Sequence, residues 1–476
     1  MVVFYARIRL LRRIIINFAQ KSSLTAIMIE QIIIQNFLSF KNKETFDFIA
    51  SMEKPKKGFE YMKWYEEMNR KKILKAQFLF GNNATGKSNF LSVISAVKDI
   101  ICTKRTSKSS VESKLPITYF KLSSTTIGKP TFIKITFHTK GIRYQYSVEY
   151  DDETIYQETL IKNINPKKEA TIFDRHYDKE KDISELKIPN DIFSKETQTV
   201  LRENVIKNTS VISIYDDKNI ESADFKNVYA YFNNAVVIYH IGSLHLPYML
   251  AGRKDGEALE KIIVPLLQDL GSNITGYHVD YNYFPLSDLE INILKNSLGE
   301  KLFNEQYPNG KRKEPSVRFS HNTDRPNEEA WLSENEESYG TLNMLRLIIL
   351  LYDACKCQSP IAIDECAIGI HQQTFGRIIQ FFLSISSNLQ FFMASQQVTI
   401  MEMDGFRRDT VKFFDKDRTT GITTCKKIDM KKYHKNINIV NAYLNDSFGC
   451  LPEYPTQEQW EEKLLAYKEQ MQQMIK

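Results

Sequence analysis

No apolar run in the 476-residue chain approaches the roughly 20 residues needed to cross a bilayer, so no membrane-spanning helix is expected. Cysteine is sparse and scattered: Cys102, Cys355, Cys357, Cys366, Cys425 and Cys450 form no C-x-x-C pair and have no histidine at zinc spacing. This argues against a disulfide framework and reads as reduced thiols in a cytoplasmic protein. Neither an internal repeat nor a nuclease or protease constellation is evident. Acid is absent from residues 1–27, where Arg7, Arg9, Arg12, Arg13 and Lys21 supply +5 of the formal net charge of +6. The rest of the chain is nearly neutral, which argues against a uniformly basic nucleic-acid-binding face. The arginine-rich opening lacks a folding pattern. It also fits an organellar transit peptide, but the leading reading is an upstream extension, with the folded protein beginning at Met28.

What is present is organised around residues 78–90. Phe78, Leu79 and Phe80 read as a buried strand, and a helix opening at Ser88 carries the apolar stripe Leu91, Ile94, Val97 and Ile101. Between them Gly81 and Gly86 bracket Asn82, Asn83, Ala84 and Thr85 and precede Lys87, Ser88 and Asn89, which fits G-x-x-x-x-G-K-[ST]. The glycines permit backbone conformations that turn successive N–H groups inward around a phosphate. Lys87 would reach the β- and γ-phosphates, Ser88 would offer its hydroxyl to Mg2+, and the helix N-terminus adds partial positive charge.

A chain of this length should hold two or three structural units. Residues 29–36 read as a strand, with a second near 45–49 and a helix and loop over 52–72. Residues 103–114 form a polar loop whose Lys104, Arg105 and Lys108 read as solvated rather than phosphate-bound. The runs 117–122, 131–138, 143–150 and 154–161 suggest an antiparallel meander, a β-lobe beside the nucleotide site. Residues 164–192 are weakly patterned. Helical periodicity dominates about 193–303, with a turn-rich break at 271–286, and 304–330 reads as a linker or exposed loop.

Residues 337–341, Glu-Ser-Tyr-Gly-Thr, open a helix reaching about Ala354 that is hydrophobic on nearly every side, hence buried. After Ser359-Pro360, Ile361, Ala362 and Ile363 form a buried strand that delivers Asp364 and Glu365, the Walker B pattern. Asp364 would hold Mg2+ indirectly and Glu365 would polarise the attacking water. Lys87 and Asp364 are 277 residues apart, and Ser338 lies 26 before Asp364. A long insertion followed by signature helix, acidic strand and helix is the ABC-type order. In it Ser338 and the backbone at Gly340 and Thr341 face the γ-phosphate held by a second subunit. The expected site is composite and needs a head-to-tail dimer or higher homo-oligomer.

With these landmarks, and with residues 34–40, 363–371, 407–416 and 443–452, the chain resembles the RloA/abortive-infection (AriA-like) group of ABC-type ATPases over about 28–452. These are relatives of the structural-maintenance-of-chromosomes heads. The resemblance implies an α/β P-loop NTPase fold of that head type, with an antiparallel β-lobe and a helical insertion. It also implies a cytoplasmic bacterial ATPase of phage defence that uses ATP and Mg2+ and controls a separately encoded nuclease-like or toxin effector. The expected organisation is an extension over 1–27, the head's N-terminal part with phosphate loop and β-lobe over 28–163, and a mainly helical insertion over 164–330. The head's C-terminal part, with signature and acidic strand, follows over 331–452, and a C-terminal helix over 453–476. One departure matters. After the strand 389–393 relatives carry a switch histidine on the γ-phosphate, and here Gln396 occupies that position. Glutamine can orient a water but cannot carry the imidazolium charge, so slow turnover is expected. No Q-loop glutamine is assigned. His371 stands where relatives carry an intersubunit histidine, and both that role and a plain structural one stay open.

His240 and His245 lack metal-ligand geometry and read as ordinary strand or loop histidines. Cys355, Cys357 and Cys366 should pack around the acidic strand. The tail helix 456–475 carries Trp460, Leu464, Tyr467, Met471 and Met474 on one stripe, expected to pack on its own head rather than on a partner. Two other readings remain, a nucleotide-binding scaffold that hardly hydrolyses and a DNA-repair-type ATPase acting on nucleic acid.

Overall fold

The structure, a computed structural model, describes residues 27–475 apart from 109–113, 117–118, 166–167, 239, 326–327, 358, 386–388, 431, 434–436 and 452–454. Except for Ile27, the extension expected over 1–27 lies outside the described residues.

The chain opens with β1 (Met28–Gln35) and β2 (Glu44–Asp47), continues through the hairpin β3 (Tyr65–Met68) and β4 (Lys71–Leu74), and reaches β5 (Ala76–Phe80) and α1 (Lys87–Cys102). A meander follows: β6 (Thr131–Thr139), β7 (Ile142–Tyr150), β8 (Ile155–Asn165), β9 (Lys168–Asp178) and β10 (Ile183–Lys187). Next come α2 (Lys195–Asn204), α3 (Ala223–Asn234), β11 (Val236–Ile238), α4 (Gly256–Asp269), β12 (Ile274–Pro285) and α5 (Asp288–Leu298). After β13 (Lys311–Asn322) and β14 (Glu329–Ser333) the order is α6 (Tyr339–Cys357), β15 (Ile361–Ile363), α7 (Gln372–Ile385), β16 (Phe391–Ser395), β17 (Val411–Lys416), β18 (Thr423–Lys427) and α8 (Gln457–Ile475).

Two sheets position the site. A mixed sheet runs β11-β15-β16-β5-β17-β18, parallel from β11 to β17 and closed by antiparallel β18. An antiparallel sheet runs β10-β9-β8-β7-β6-β1-β2. Helix α1 contributes to the core between them, and its stripe Leu91, Ile94, Val97 and Ile101 is buried as expected, beside Phe90. Each such side chain contributes about 1.5–3 kcal/mol of burial free energy. The other face of the mixed sheet shares a core with α4, α6 and α7. Gln390, buried just before β16, fastens the sheets together: its Oε1 accepts from Ile29 N at 2.6 Å, and its Nε2 donates to Ile29 O and Leu74 O at 2.9 and 3.0 Å.

Several sequence expectations are corrected. Residues 52–72 hold the β3–β4 hairpin where a helix was expected. Asn69 and Arg70, both at positive φ (49° and 66°), make the two-residue turn whose twist suits adjacent antiparallel strands. The segment 164–330, expected to be mainly helical, is mixed: it holds all of β9–β13 beside α2–α5. The charged stretch after 164 pairs as β8–β9–β10. The turn-rich break and the linker are the two long strands of a single ladder, Ile274–Pro285 against Lys311–Asn322. Polar residues alternate with Tyr277 and Val279 near the start of β12, and from Tyr281 on both faces of that strand are exposed, Tyr281 and Tyr283 included, which hid the strand period. The meander begins at Thr131; the run expected over 117–122 forms no strand among its described residues. Arg105 is buried against Asp99, while Lys104 and Lys108 pair with Asp217 and Asp182. The tail helix forms, capped by Thr456, but it does not pack on its own head: Trp460, Leu464, Tyr467, Met471 and Met474 are 45–88% exposed. Its Glu, Lys, Gln, Leu and Met content favours helix without a partner, so the helix does not require the packing that was expected of it.

Candidate functional site: a phosphate loop and an acidic strand

Parallel pairing aligns the carboxyl ends of three strands, β5, β15 and β16. Ser395 at the end of β16 is level with Phe80 at the end of β5, and Ile363 at the end of β15 is level with Met393. Gly81, Asp364 and Gln396, each just beyond its strand, therefore emerge along one edge of the sheet. This edge is where open α/β sheets place their ligands.

The loop after β5 adopts the conformation the motif requires. Gly81 and Gly86 sit at φ 151° and 103°, with Ala84 between them at 62°. A Cβ on Gly81 would collide with Phe414 O, and one on Gly86 would lie 2.6 Å from Thr423 Oγ1 and 2.8 Å from Ser39 Oγ. The glycines are thus demanded both by dihedral and by space. Lys87 is buried and curls back over the loop, donating to Gly81 O at 2.7 Å and Asn82 O at 2.8 Å. Burial pulls its pKa below the usual lysine range, opposed by the charges of Asp364 and Glu365. Thr85 Oγ1 donates to Asn82 O, and Asn89 Nδ2 to Ser39 Oγ at 2.8 Å. Thr423 locks the floor, its Oγ1 lying 2.8 Å from Ser39 Oγ and 2.9 Å from Thr85 O, within hydrogen-bond reach of both. Asn83, Ala84 and Ser88 face solvent.

Beyond β15, which is separated from β5 by β16, Asp364 is buried and its Oδ2 accepts from Ser88 Oγ. A hydroxyl and a carboxylate converging beside a lysine make a hard-oxygen donor set suited to Mg2+. Glu365 follows at φ 50°, a left-handed conformation unusual for glutamate. Its carboxylate is 39% exposed and stands 3.3 Å from His240 Nε2. His240 follows β11, which pairs with β15 and accepts the Asp364 N–H at Ile238 O. His240 is a loop histidine, as the sequence suggested; what the sequence did not show is that its loop stands beside Glu365. A short β-branched run, Val236-Val237-Ile238, was the overlooked signal; it was submerged in helical periodicity.

The other expected residues are placed as follows. Gln396 is exposed at the end of β16, while Gln397 donates to Ala367 O at 3.2 Å. Ser338 caps α6, accepting from Thr341 N at 3.0 Å, and Gly340 lies so close to Gly369 O that a Cβ would collide with it. His371 Nδ1 accepts from Gln373 N at 3.3 Å, a cap on α7 within its own chain. Ser338 and His371 are both exposed and make no described contact with the phosphate loop. Cys366 is buried and its thiol is pushed up by that burial; Cys355 is half-buried and Cys357 exposed, so not all three pack.

A phosphate loop between strand and helix, met by an Asp-Glu pair from a strand of the same parallel sheet, defines a P-loop nucleotide-binding protein. Residues 78–402 match the family model described as "AAA domain, putative AbiEii toxin, Type IV TA system", and the chain belongs to that family. Among solved structures it is similar to the SMC head domain from Thermotoga maritima (12% identity, 84% of this chain and 99% of that one, TM-score 0.39). It is also similar to an SmcHead bound to the C-winged helix domain of ScpA (14%, 85% and 99%, 0.41). A third is the Smc head domain with an extended coiled coil bound to the C-terminal domain of ScpA derived from Pyrococcus furiosus (13%, 89% and 100%, 0.35). A comparison with curated proteins found no match. No helix among the described residues is long and apolar enough to cross a membrane.

Proposed function

We propose that this protein binds ATP with Mg2+ and hydrolyses it at a site completed by a second copy. In this reading it is a cytoplasmic regulator that controls a separate effector in phage defence. The observation that supports hydrolysis is the contact of Ser88 with Asp364 across 276 residues of chain, beside buried Lys87 and with Glu365 next in line. Bound Mg2+ would neutralise phosphate oxygens, held by Ser88 and, indirectly, by Asp364. Lys87, freed from the Gly81 and Asn82 carbonyls, pairs with the β- and γ-phosphates. Glu365 takes a proton from the attacking water. The exposed N-terminus of α6 at Ser338, Gly340 and Thr341 is free to face the γ-phosphate held by the other copy, where its partial positive charge favours the anion. The family description, with its toxin–antitoxin context, supports the defence role.

The test is ATP turnover measured together with mass by light scattering, with and without ATP and Mg2+. ATP-dependent dimers that turn over, and a Ser338→Arg variant that does neither, are expected. A mass independent of ATP would overturn the composite site. Gln396 favours a second reading, a scaffold that holds ATP with little hydrolysis; single-turnover measurements separate the two.

A further inference from the structure

We propose that His240 is a positioning residue for Glu365, taking on this side of the sheet the task of aiming the carboxylate at water. The proposal rests on the hydrolysis reading above. Glu365 is held in a left-handed backbone conformation, and its own strand supplies little to fix the side chain; the acid is half exposed. The imidazole Nε2 stands 3.3 Å from Glu365 Oε2, and the ring is delivered by β11, whose register with β15 is fixed by three residue pairs and by the Asp364 N–H on Ile238 O. Hydrogen bonds at catalytic groups are often long before substrate is bound.

The ring is itself backed. Gly242, two residues on, carries no Cβ, and one placed there would lie 2.8 Å from His240 Cε1 and collide with Tyr339 Oη. A side chain at this position would have to displace the tyrosine hydroxyl of the signature and the imidazole, which share that space. The same loop is tied to α6 by Arg346, whose Nε donates to Leu244 O at 2.8 Å. Arg346 Nη1 donates to Asn343 Oδ1, and Asn343 Nδ2 in turn donates to Ile368 O, on the segment that follows Glu365. The signature helix, the His240 loop and the chain beyond the acidic strand thus form one hydrogen-bonded unit. Closure of a second copy on Ser338 would be felt at Glu365 through Tyr339 and His240.

The experiment is a double-mutant cycle on the full chain, with turnover and nucleotide affinity read separately. His240→Ala is expected to lower kcat about tenfold while leaving the Kd for an ATP analogue within about twofold, the pattern of an interaction used only in the chemical step. His240→Gln should recover much of that loss, because its amide can donate to a carboxylate. In a Glu365→Gln background the His240→Ala effect should vanish in single-turnover rates. Gly242→Ala, which forces Tyr339 and the ring apart, should mimic His240→Ala. Wild-type kcat in His240→Ala, an equal loss in the Glu365→Gln background, or a loss confined to affinity would each overturn the proposal. An unfolded His240→Ala protein would overturn it as well, by showing the ring to be structural. If wild type turns over ATP and these variants behave as wild type, only this proposal fails. If wild type shows no turnover in any assembly state, the hydrolysis reading fails with it.

Discussion

Replacing Glu365 by Gln changes one charge and nearly no volume at the residue beside the Ser88–Asp364 contact. Asp364, the carboxylate that Ser88 reaches, is untouched, and Lys87 keeps its carbonyl partners Gly81 and Asn82. ATP affinity should therefore stay within about twofold, since no group assigned to phosphate or Mg2+ is lost. The rate is another matter. A positioned general base contributes about 10²–10⁴-fold, or about 3–5 kcal/mol of barrier, so the variant should look inactive in steady state. If hydrolysis is what opens the dimer, the closed form should then accumulate. Light scattering in ATP and Mg2+ would show a shift toward dimer mass, and adding Ser338→Arg in the same protein would abolish it. Retention of more than about a tenth of wild-type turnover would show that Glu365 is not the base. A mass distribution that ignores ATP would show that the dimer does not depend on hydrolysis, and a preformed oligomer would replace the composite-site description.

Lys87→Ala should abolish binding of a fluorescent ATP analogue, because it removes the buried cation of the loop; affinity within a few-fold of wild type would refute that role. Gln396→His should raise steady-state hydrolysis without tightening binding much, and an unchanged or lower rate would show that glutamine suits the end of β16 better than the switch residue does. Glu30 is buried between His138, Arg143 and Lys71, with hydrogen bonds of 2.6–3.1 Å. Burial alone would raise its pKa, but those partners outweigh it and hold the carboxyl well below its ordinary 4.5. A depressed carboxylate pKa adds stability above the ordinary value and loses it progressively as pH falls below that value. Glu30→Gln should cost about 3–5 kcal/mol near neutrality and flatten the fall in melting temperature below about pH 4.5, as followed by thermal unfolding across pH; an acid limb as steep as wild type's would refute the assignment.

Local chemistry made the phosphate loop legible. A strand, two glycines, a lysine and a helix stripe lie within one short stretch, and each needs only its neighbours to act. Gly81 and Gly86 are required by backbone angle, Lys87 by the carbonyls just before it, and the α1 stripe by its period. The acidic strand was legible for the same reason: three apolar residues end abruptly in Asp364 and Glu365. Other features depended on residues far apart in the chain. Thr423 closes the floor beneath Thr85 from more than 300 positions away, and Gln390 staples β1 to the mixed sheet; neither has a sequence pattern, because a single buried hydrogen-bonding side chain leaves no period. The β12–β13 ladder was missed because much of it is exposed and carries the polar residues that signal loops elsewhere. The position of the His240 loop beside Glu365 was not legible because it follows from parallel pairing, which joins strands separated by long crossovers. Sequence by itself determined which segments could hold a phosphate and a metal. Tertiary structure alone decided that Ser88 meets Asp364 and that an imidazole from another strand stands beside Glu365, since strand order is set by how helices cover the sheet and not by any one strand's residues.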